Sequence, residues 1–189
     1  MSGLPSQAIR SAPTLGAVSI ESLVAQHYGF VWRVLRGLGL SASDSEDAAQ
    51  QVFMIAARKL ESIAPERARS FVYGAALRVA SNARRSLRRR REVPEDAESD
   101  PPASESRGPE RHAQLAQARA LLADVLAQLP ENHQRVLILA ELEQLEVPEI
   151  AELEGVPVGT AASRLRVARQ RFRELLETAR DRNPFLEPA

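Results

Sequence analysis

Apolar residues recur at three- and four-residue spacing through most of this chain, and strict alternation is absent, so the pattern predicts helices rather than strands. From Ile20 to about Leu38 the inward positions are Leu23, Val24, Phe30, Val31, Val34, Leu35 and Leu38, and Gly37, Gly39 and Ser41 then end the run. A second helix follows through Ala49, Val52, Phe53, Ala56 and Leu60, with Ser43 or Asp44 as its cap and Glu46 and Asp47 in its first turn. Glu61 to Ser70 contains Pro65 and reads as a loop. The next helix starts near Arg69 and carries Phe71, Val72, Ala75, Leu77, Val79, Ala80 and Ala83 into a block of arginines.

Beyond an interruption at Glu92 to Pro109 the helical period returns. Arg111 to Leu129 shows Leu115, Ala118, Leu122, Val125 and Leu129 on one face, and Pro130 to Asn132 breaks and re-caps the chain. Gln134 to Leu145 repeats the pattern through Val136, Leu137, Leu139, Ala140 and Leu142. Val147 to Leu176 then reads as a short helix, a tight turn and a longer helix. Pro148 suits a first helical turn, where its missing N–H costs nothing, and Gly155 suits the positive φ that ends the short helix. On the longer helix Ala161, Leu165, Ala168, Phe172 and Leu175 face inward. Its outer face carries Ser163, Arg164, Arg166, Arg169, Gln170, Arg171 and Arg173, with no acid from Arg164 to Arg173. Such a helix–turn–helix puts its second helix in the DNA major groove, where arginines neutralise phosphates or grip guanine edges. A solvated basic helix is the plainer alternative for the same face.

Composition agrees with helices: 44% of the 189 residues are hydrophobic, 26% are charged and only 4% are aromatic. Lys+Arg 25 balances Asp+Glu 25, but the charges are segregated. Arg84, Arg85 and Arg88 to Arg91 form a basic block, and Glu92, Glu95, Asp96, Glu98, Asp100 and Glu105 an acidic one directly after it. That acidic, Pro- and Ser-rich stretch has almost no large apolar residue and predicts an extended linker. The fold class expected is therefore all-α, two small helical domains joined by a flexible acidic linker.

Several function classes fall away. Without cysteine there is neither a disulfide framework nor a thiolate metal site, and the three histidines, His27, His112 and His133, lack ligand spacing. No phosphate loop or catalytic triad is present, so an enzyme is not expected, and no cofactor is called for. No apolar run approaches the roughly 20 residues of a membrane span, and no signal-peptide pattern precedes Ala17, so a cytoplasmic protein without membrane insertion is expected. A stand-alone DNA-binding regulator would need a sensor or dimerisation domain, and the N-terminal half has neither a five-strand α/β pattern nor long heptads.

On the residues alone Asp44, Glu46 and Asp47 are accounted for by helix capping. Phe71 fits a core position as well as a stacking contact, and Phe71, Tyr73 and Asn82 followed by Arg84, Arg85 and Arg88 put rings, an amide and cations on one element, as single-stranded nucleic acid requires. In order, however, these segments resemble one family, the extracytoplasmic-function class of bacterial RNA polymerase sigma factors. Leu129-Pro130-Glu131, Glu149-Ile150-Ala151-Glu152 and Gly155 through Leu165 are similar to that family's region four. Asp44-Ser45-Glu46-Asp47-Ala48-Ala49-Gln50-Gln51-Val52-Phe53 is similar to an Asp-Ala-Glu-Asp-Leu-Val-Gln-x-x-Phe segment of its region two.

Residues 1–19, rich in Ser, Pro, Gly and Ala, read as a disordered leader, and the resemblance implies region two at 20–92, a linker at 93–111, region four at 112–179 and a tail at 180–189. It implies a subunit that binds core polymerase through the clamp helices of the largest subunit and the beta flap, directs initiation at promoter DNA and aids melting. Asp44, Glu46, Asp47, Gln50 and Phe53 would then touch the polymerase. Phe71, Tyr73, Arg78, Asn82, Arg84, Arg85 and Arg88 would meet the minus-ten element, and Gly159, Thr160, Ser163, Arg164, Arg166, Val167 and Arg169 the minus-thirty-five element. Asn82 stands where the family commonly has Asp, Arg78 where an Asn is frequent (a shifted gap would set Asn82 there instead), and Ala162 where a basic residue usually precedes the Ser-Arg pair. A dedicated anti-sigma factor is the usual regulator of such proteins.

Overall fold

The structure, a computed structural model, describes residues 19–92 and 109–182. The leader, the acidic linker core at 93–108 and the last residues of the tail lie outside them, so the disorder and flexibility expected there are not addressed. Among the described residues every regular element is helical.

The N-terminal bundle comprises α1 (Ile20–Gly37), α2 (Ala42–Ala57) and α3 (Ala68–Glu92). Each start has a local cause. Ser19 caps α1 by accepting the Ser22 N–H at 3.1 Å. Ser41, rather than the expected Ser43 or Asp44, caps α2: its hydroxyl accepts the Asp44 N–H at 3.0 Å and donates to the Asp44 carboxylate at 2.6 Å. The α2–α3 connection is two short 3-10 turns, Leu60–Ser62 and Pro65–Arg67, in the segment read as a loop. Leu23, Val31, Val34, Leu35, Val52, Ala56, Val72 and Ala76 close the core, each at most 1% exposed.

The C-terminal bundle comprises α4 (Pro109–Ala127), α5 (Glu131–Glu141), α6 (Val147–Glu154) and α7 (Val158–Arg182). Pro148 lies in the first turn of α6, and the Glu146 N–H donates to the Glu149 carboxylate at 2.8 Å. Gly155 ends α6 at φ 63°, so its lack of a Cβ is used there. Ile150, Ala161, Leu165 and Ala168 are buried in one core cluster with Val136 and Leu139 where α5, α6 and α7 meet, as the apolar stripes predict. On α4 the stripe holds only at its C-terminal end. Val125, Leu126 and Leu129 are buried, while Ala118 is exposed and Leu122 is 40% exposed, because among the described residues no element covers those earlier turns.

The two bundles pack against each other along a seam that the hydrophobic pattern does not reveal. The Gly37 carbonyl at the end of α1 accepts the Gln134 side-chain N–H of α5 at 3.3 Å, a buried contact across 97 positions. A Cβ on Gly37 would lie 3.0 Å from the Ile138 side chain, so glycine is what lets α1 and α5 approach. The Arg33 Nε donates to Glu143 Oε1 and its Nη2 to Glu143 Oε2, both at 2.8 Å, with the Glu143 side chain only 3% exposed. Gln144, next to it, has φ 53°, a left-handed conformation that presents the Glu143 turn to α1.

Candidate polymerase and promoter interface

Three surfaces carry the residues singled out from the sequence. The first is the solvent face of α2. Glu46, Asp47 and Gln50 are exposed and enter no hydrogen bond or ion pair among the described residues, while Asp44 is half-buried against Ser41. Phe53 does not belong to this surface. It is 7% exposed and stacks on Tyr28 with ring centroids 6.2 Å apart, so it fixes α2 from inside instead of meeting a partner. Met54 takes its place. It is 56% exposed and lies seven residues from Asp47 and four from Gln50, which puts all three on one face. Its apolar surface beside acids is the signal that sequence reasoning passed over.

The second surface begins at the α2–α3 connection. Ser62, Ile63, Ala64, Glu66, Arg67, Ser70 and Phe71 line an open cleft of about 620 Å³. Phe71 is half-buried, with an edge in this cleft. Arg78, Asn82 and Arg85 continue along the exposed face of α3 at helical spacing. The Arg88 side chain lies outside the described residues. Arg84 is turned to the seam, where it pairs with Glu131 of α5 at 3.2 Å. Leu38, Leu77, Arg78, Ser81, Arg84, Glu131 and Arg135 line a half-open cavity there of about 210 Å³.

Tyr73 is the second departure from expectation. It is 2% exposed, and its hydroxyl donates to Glu154 of α6, whose side chain is also 2% exposed and is held by Arg135 at 3.1 Å. Burial, and then the Glu154 charge, push the Tyr73 phenol far above its usual value. With the bundles docked as they are, Tyr73 cannot stack on a base. Beside it Arg69 stands over the Phe30 ring at 4.7 Å and reaches Glu149 at 3.7 Å.

The third surface is α7. Gly159, Ser163, Arg166 and Arg169 are exposed, while Thr160, Arg164 and Val167 are half-buried. Arg169 is tied to α5: its Nε donates to Glu141 at 2.8 Å. Arg166 enters no ion pair among the described residues. His133, near the start of α5, has an Nδ1 without a hydrogen-bond partner among the described residues. Its basicity is lowered by burial first, then by Arg171 and Arg164. A neutral imidazole among arginines leaves the positive field of α7 to the guanidinium groups.

A helical body with a cleft beside a solvent-facing acidic helix, joined to a helix–turn–helix with a basic outer face, defines a two-part DNA-binding transcription protein. Comparison with known proteins makes the class specific. Residues 23–92 match the family model for sigma-70 region 2, and residues 119–172 that for sigma-70 region 4. The ECF RNA polymerase sigma-E factor of Haemophilus influenzae is 32% identical over 139 residues, covering 69% of this chain and 74% of that protein. ECF sigma factor SigL of Mycobacterium tuberculosis is 29% identical and covers 89% of this chain and 95% of its own length. With SigE of Mycolicibacterium smegmatis identity is 29% over 84% of this chain, which spans 62% of that longer relative. Among solved structures, CnrH in complex with the cytosolic domain of CnrY superposes with a TM-score of 0.64 at 21% identity, covering 84% of this chain and 88% of that one, a likeness of fold. The chain belongs to the extracytoplasmic-function sigma factors, non-enzymatic subunits that direct RNA polymerase to promoters. No helix among the described residues is long and apolar enough to cross a membrane.

Proposed function

We propose that this sigma factor divides its work by domain. Region two, residues 20–92, docks on the polymerase clamp helices through Asp44, Glu46, Asp47 and Gln50, with Met54 as an apolar anchor that the geometry adds. The same region takes unpaired minus-ten bases into the cleft beside Phe71, and Arg78, Asn82 and Arg85 hold the strand backbone. Region four, residues 112–179, lays α7 in the minus-thirty-five major groove, led by Gly159, Thr160 and Ser163 and held by Arg164 and Arg166. Lacking any nucleotide-hydrolysing site among its motifs, the protein melts DNA with binding energy. Unstacking about ten base pairs costs roughly 1.4 kcal/mol per step, drawn from captured bases and core contacts.

The observation that carries this reading is the Asp47–Gln50–Met54 face, exposed and free of any ion pair among the described residues. Acids without an internal partner on an otherwise well-capped helix suit a basic partner surface, where complementary charge guides encounter and register. The protein would act in the cytoplasm, where polymerase works. CnrH and the RpoE of Bartonella quintana were solved with CnrY and with the anti-sigma factor NepR. By that analogy an anti-sigma factor is the expected antagonist here.

Native association with purified core polymerase tests the docking face. Asp47→Arg is expected to abolish co-elution with core while far-UV helicity and melting temperature stay nearly unchanged, since Asp47 is exposed, enters no hydrogen bond or ion pair among the described residues and lies beyond the first turn of α2. Retained association at wild-type affinity would refute the assignment.

A further inference from the structure

We propose that the half-open cavity between the end of α1, the middle of α3 and the start of α5 binds a small phosphate-bearing anion the size of inorganic pyrophosphate. The proposal is separate from the promoter reading, because it is tested on the free subunit without DNA or polymerase.

Charge in this cavity is unbalanced. Its wall carries three guanidinium groups, Arg78, Arg84 and Arg135, against a single carboxylate, Glu131. Arg84 and Arg135 are confined, with side chains 31% and 28% exposed. Neither is saturated. Arg84 gives one hydrogen bond, from Nη2 to Glu131, and Arg135 spends Nε and Nη2 on one oxygen of Glu154. Each guanidinium has five N–H donors in a planar fork, so several remain, and that fork matches the paired oxygens of a phosphate. Arg78, at the exposed rim, enters no hydrogen bond or ion pair among the described residues. Ser81 Oγ accepts from Arg85 Nη2 at 3.4 Å, which leaves its own O–H to donate.

The opposing wall is apolar. Leu38 is 3% exposed and Leu77 is half-buried, so charges facing them interact through a poorly screening medium. Glu131 is the one competitor for an incoming anion, and a weak one. Its side chain is 68% exposed and its contact with Arg84 is a single bond at 3.2 Å, a surface pair that an oxyanion of higher charge displaces. Size sets the ligand class. A volume of 210 Å³ holds about seven waters at roughly 30 Å³ each, which is room for two linked phosphoryl groups. It falls below the roughly 300–1,000 Å³ of clefts that enclose drug-sized molecules, so a whole nucleotide is not the fit.

The test is calorimetric titration of the full chain with sodium pyrophosphate at fixed ionic strength, with the melting temperature as a second readout. One saturable site is expected, together with a rise in melting temperature. Arg78→Ala should weaken binding about tenfold, the loss of a charge-assisted contact. Ser81→Met fills the cavity without changing charge and should abolish binding, with far-UV helicity retained. Glu131→Gln removes the competing carboxylate and should tighten binding about two- to fivefold. Arg166→Ala, an equal loss of charge on α7, should leave the affinity unchanged, and sulfate at matched ionic strength should bind more weakly than pyrophosphate. Absence of a saturable signal in both readouts would overturn the site. So would affinity untouched by Arg78→Ala and Ser81→Met, or reduced as much by Arg166→Ala, which would mark general attraction of polyanions to arginine-rich helices.

Discussion

Arg169 and Arg166 look alike in sequence, but the structure predicts unequal roles at the DNA. Arg166 enters no ion pair among the described residues, while the Arg169 Nε donates to Glu141 at 2.8 Å with side-chain exposures of 52% and 50% for the pair. A surface pair of this kind is worth about 0–1 kcal/mol, so Arg169 forfeits up to roughly fivefold in affinity before it can turn to a phosphate. Each phosphate neutralised steepens the dependence of log K on log salt by about 0.9. Arg166→Ala should therefore flatten that slope by about one if it holds a phosphate, or cost 1–3 kcal/mol at one base position if it reads a guanine. Arg169→Ala should cost less than about threefold and leave the slope nearly unchanged. Glu141→Gln should release Arg169, tighten binding about two- to fivefold at 50 mM salt and steepen the slope by up to about 0.9. Over a fourfold rise in salt that extra slope amounts to about 3.5-fold. The assay is fluorescence anisotropy of the holoenzyme on a promoter fragment drawn from a genomic library, titrated from 50 to 200 mM salt. Equal losses from Arg169→Ala and Arg166→Ala, with no effect of Glu141→Gln, would refute the reasoning.

Two further outcomes concern stability. Tyr73 has a phenol raised above its ordinary value of about 10, so the folded state binds a proton that the unfolded state releases first. Its contribution is complete below about pH 10 and declines above it: melting temperature should fall more steeply from pH 9 to 11.5 in the parent than in Tyr73→Phe. At neutral pH that variant should lose about 1.5–3 kcal/mol for a hydrogen bond to a carboxylate. Parallel pH profiles for the two proteins would count against the Tyr73–Glu154 contact. Gly155 holds φ 63° between α6 and α7, so Gly155→Ala should lower denaturant stability by about 1–2 kcal/mol; an unchanged midpoint would mean that the turn relaxes to another conformation.

What could be read from the chain divides according to whether a residue's partner is near in sequence. The helices, the Pro148 start and the Gly155 stop were legible because period, cap and left-handed turn are local. Ser41 and Ser43 both offer a hydroxyl, and only the path of the chain out of Leu40 decides that Ser41 caps α2. On α4 the apolar spacing continues past the point where a covering element ends, so Leu122 looked inward and is exposed. Phe53 and Tyr73 were misread for the same underlying reason. A ring at a helical position is core or contact according to what packs on it, and for Tyr73 the covering residue is Glu154, 81 positions away. Nothing near Glu143 or Glu154 in sequence marks either as a buried acid, and Gly37 reads as a helix breaker; their partners Arg33, Tyr73 and Ile138 lie on the opposite bundle, with Arg135 of the same bundle also holding Glu154. The linker composition argued for two bodies able to move apart, which says nothing about whether they also fit together. Their fit is encoded in a few long-range pairs, Arg33 with Glu143, Tyr73 with Glu154 and Gly37 against Ile138, and no member of these pairs carries a local signature of its partner.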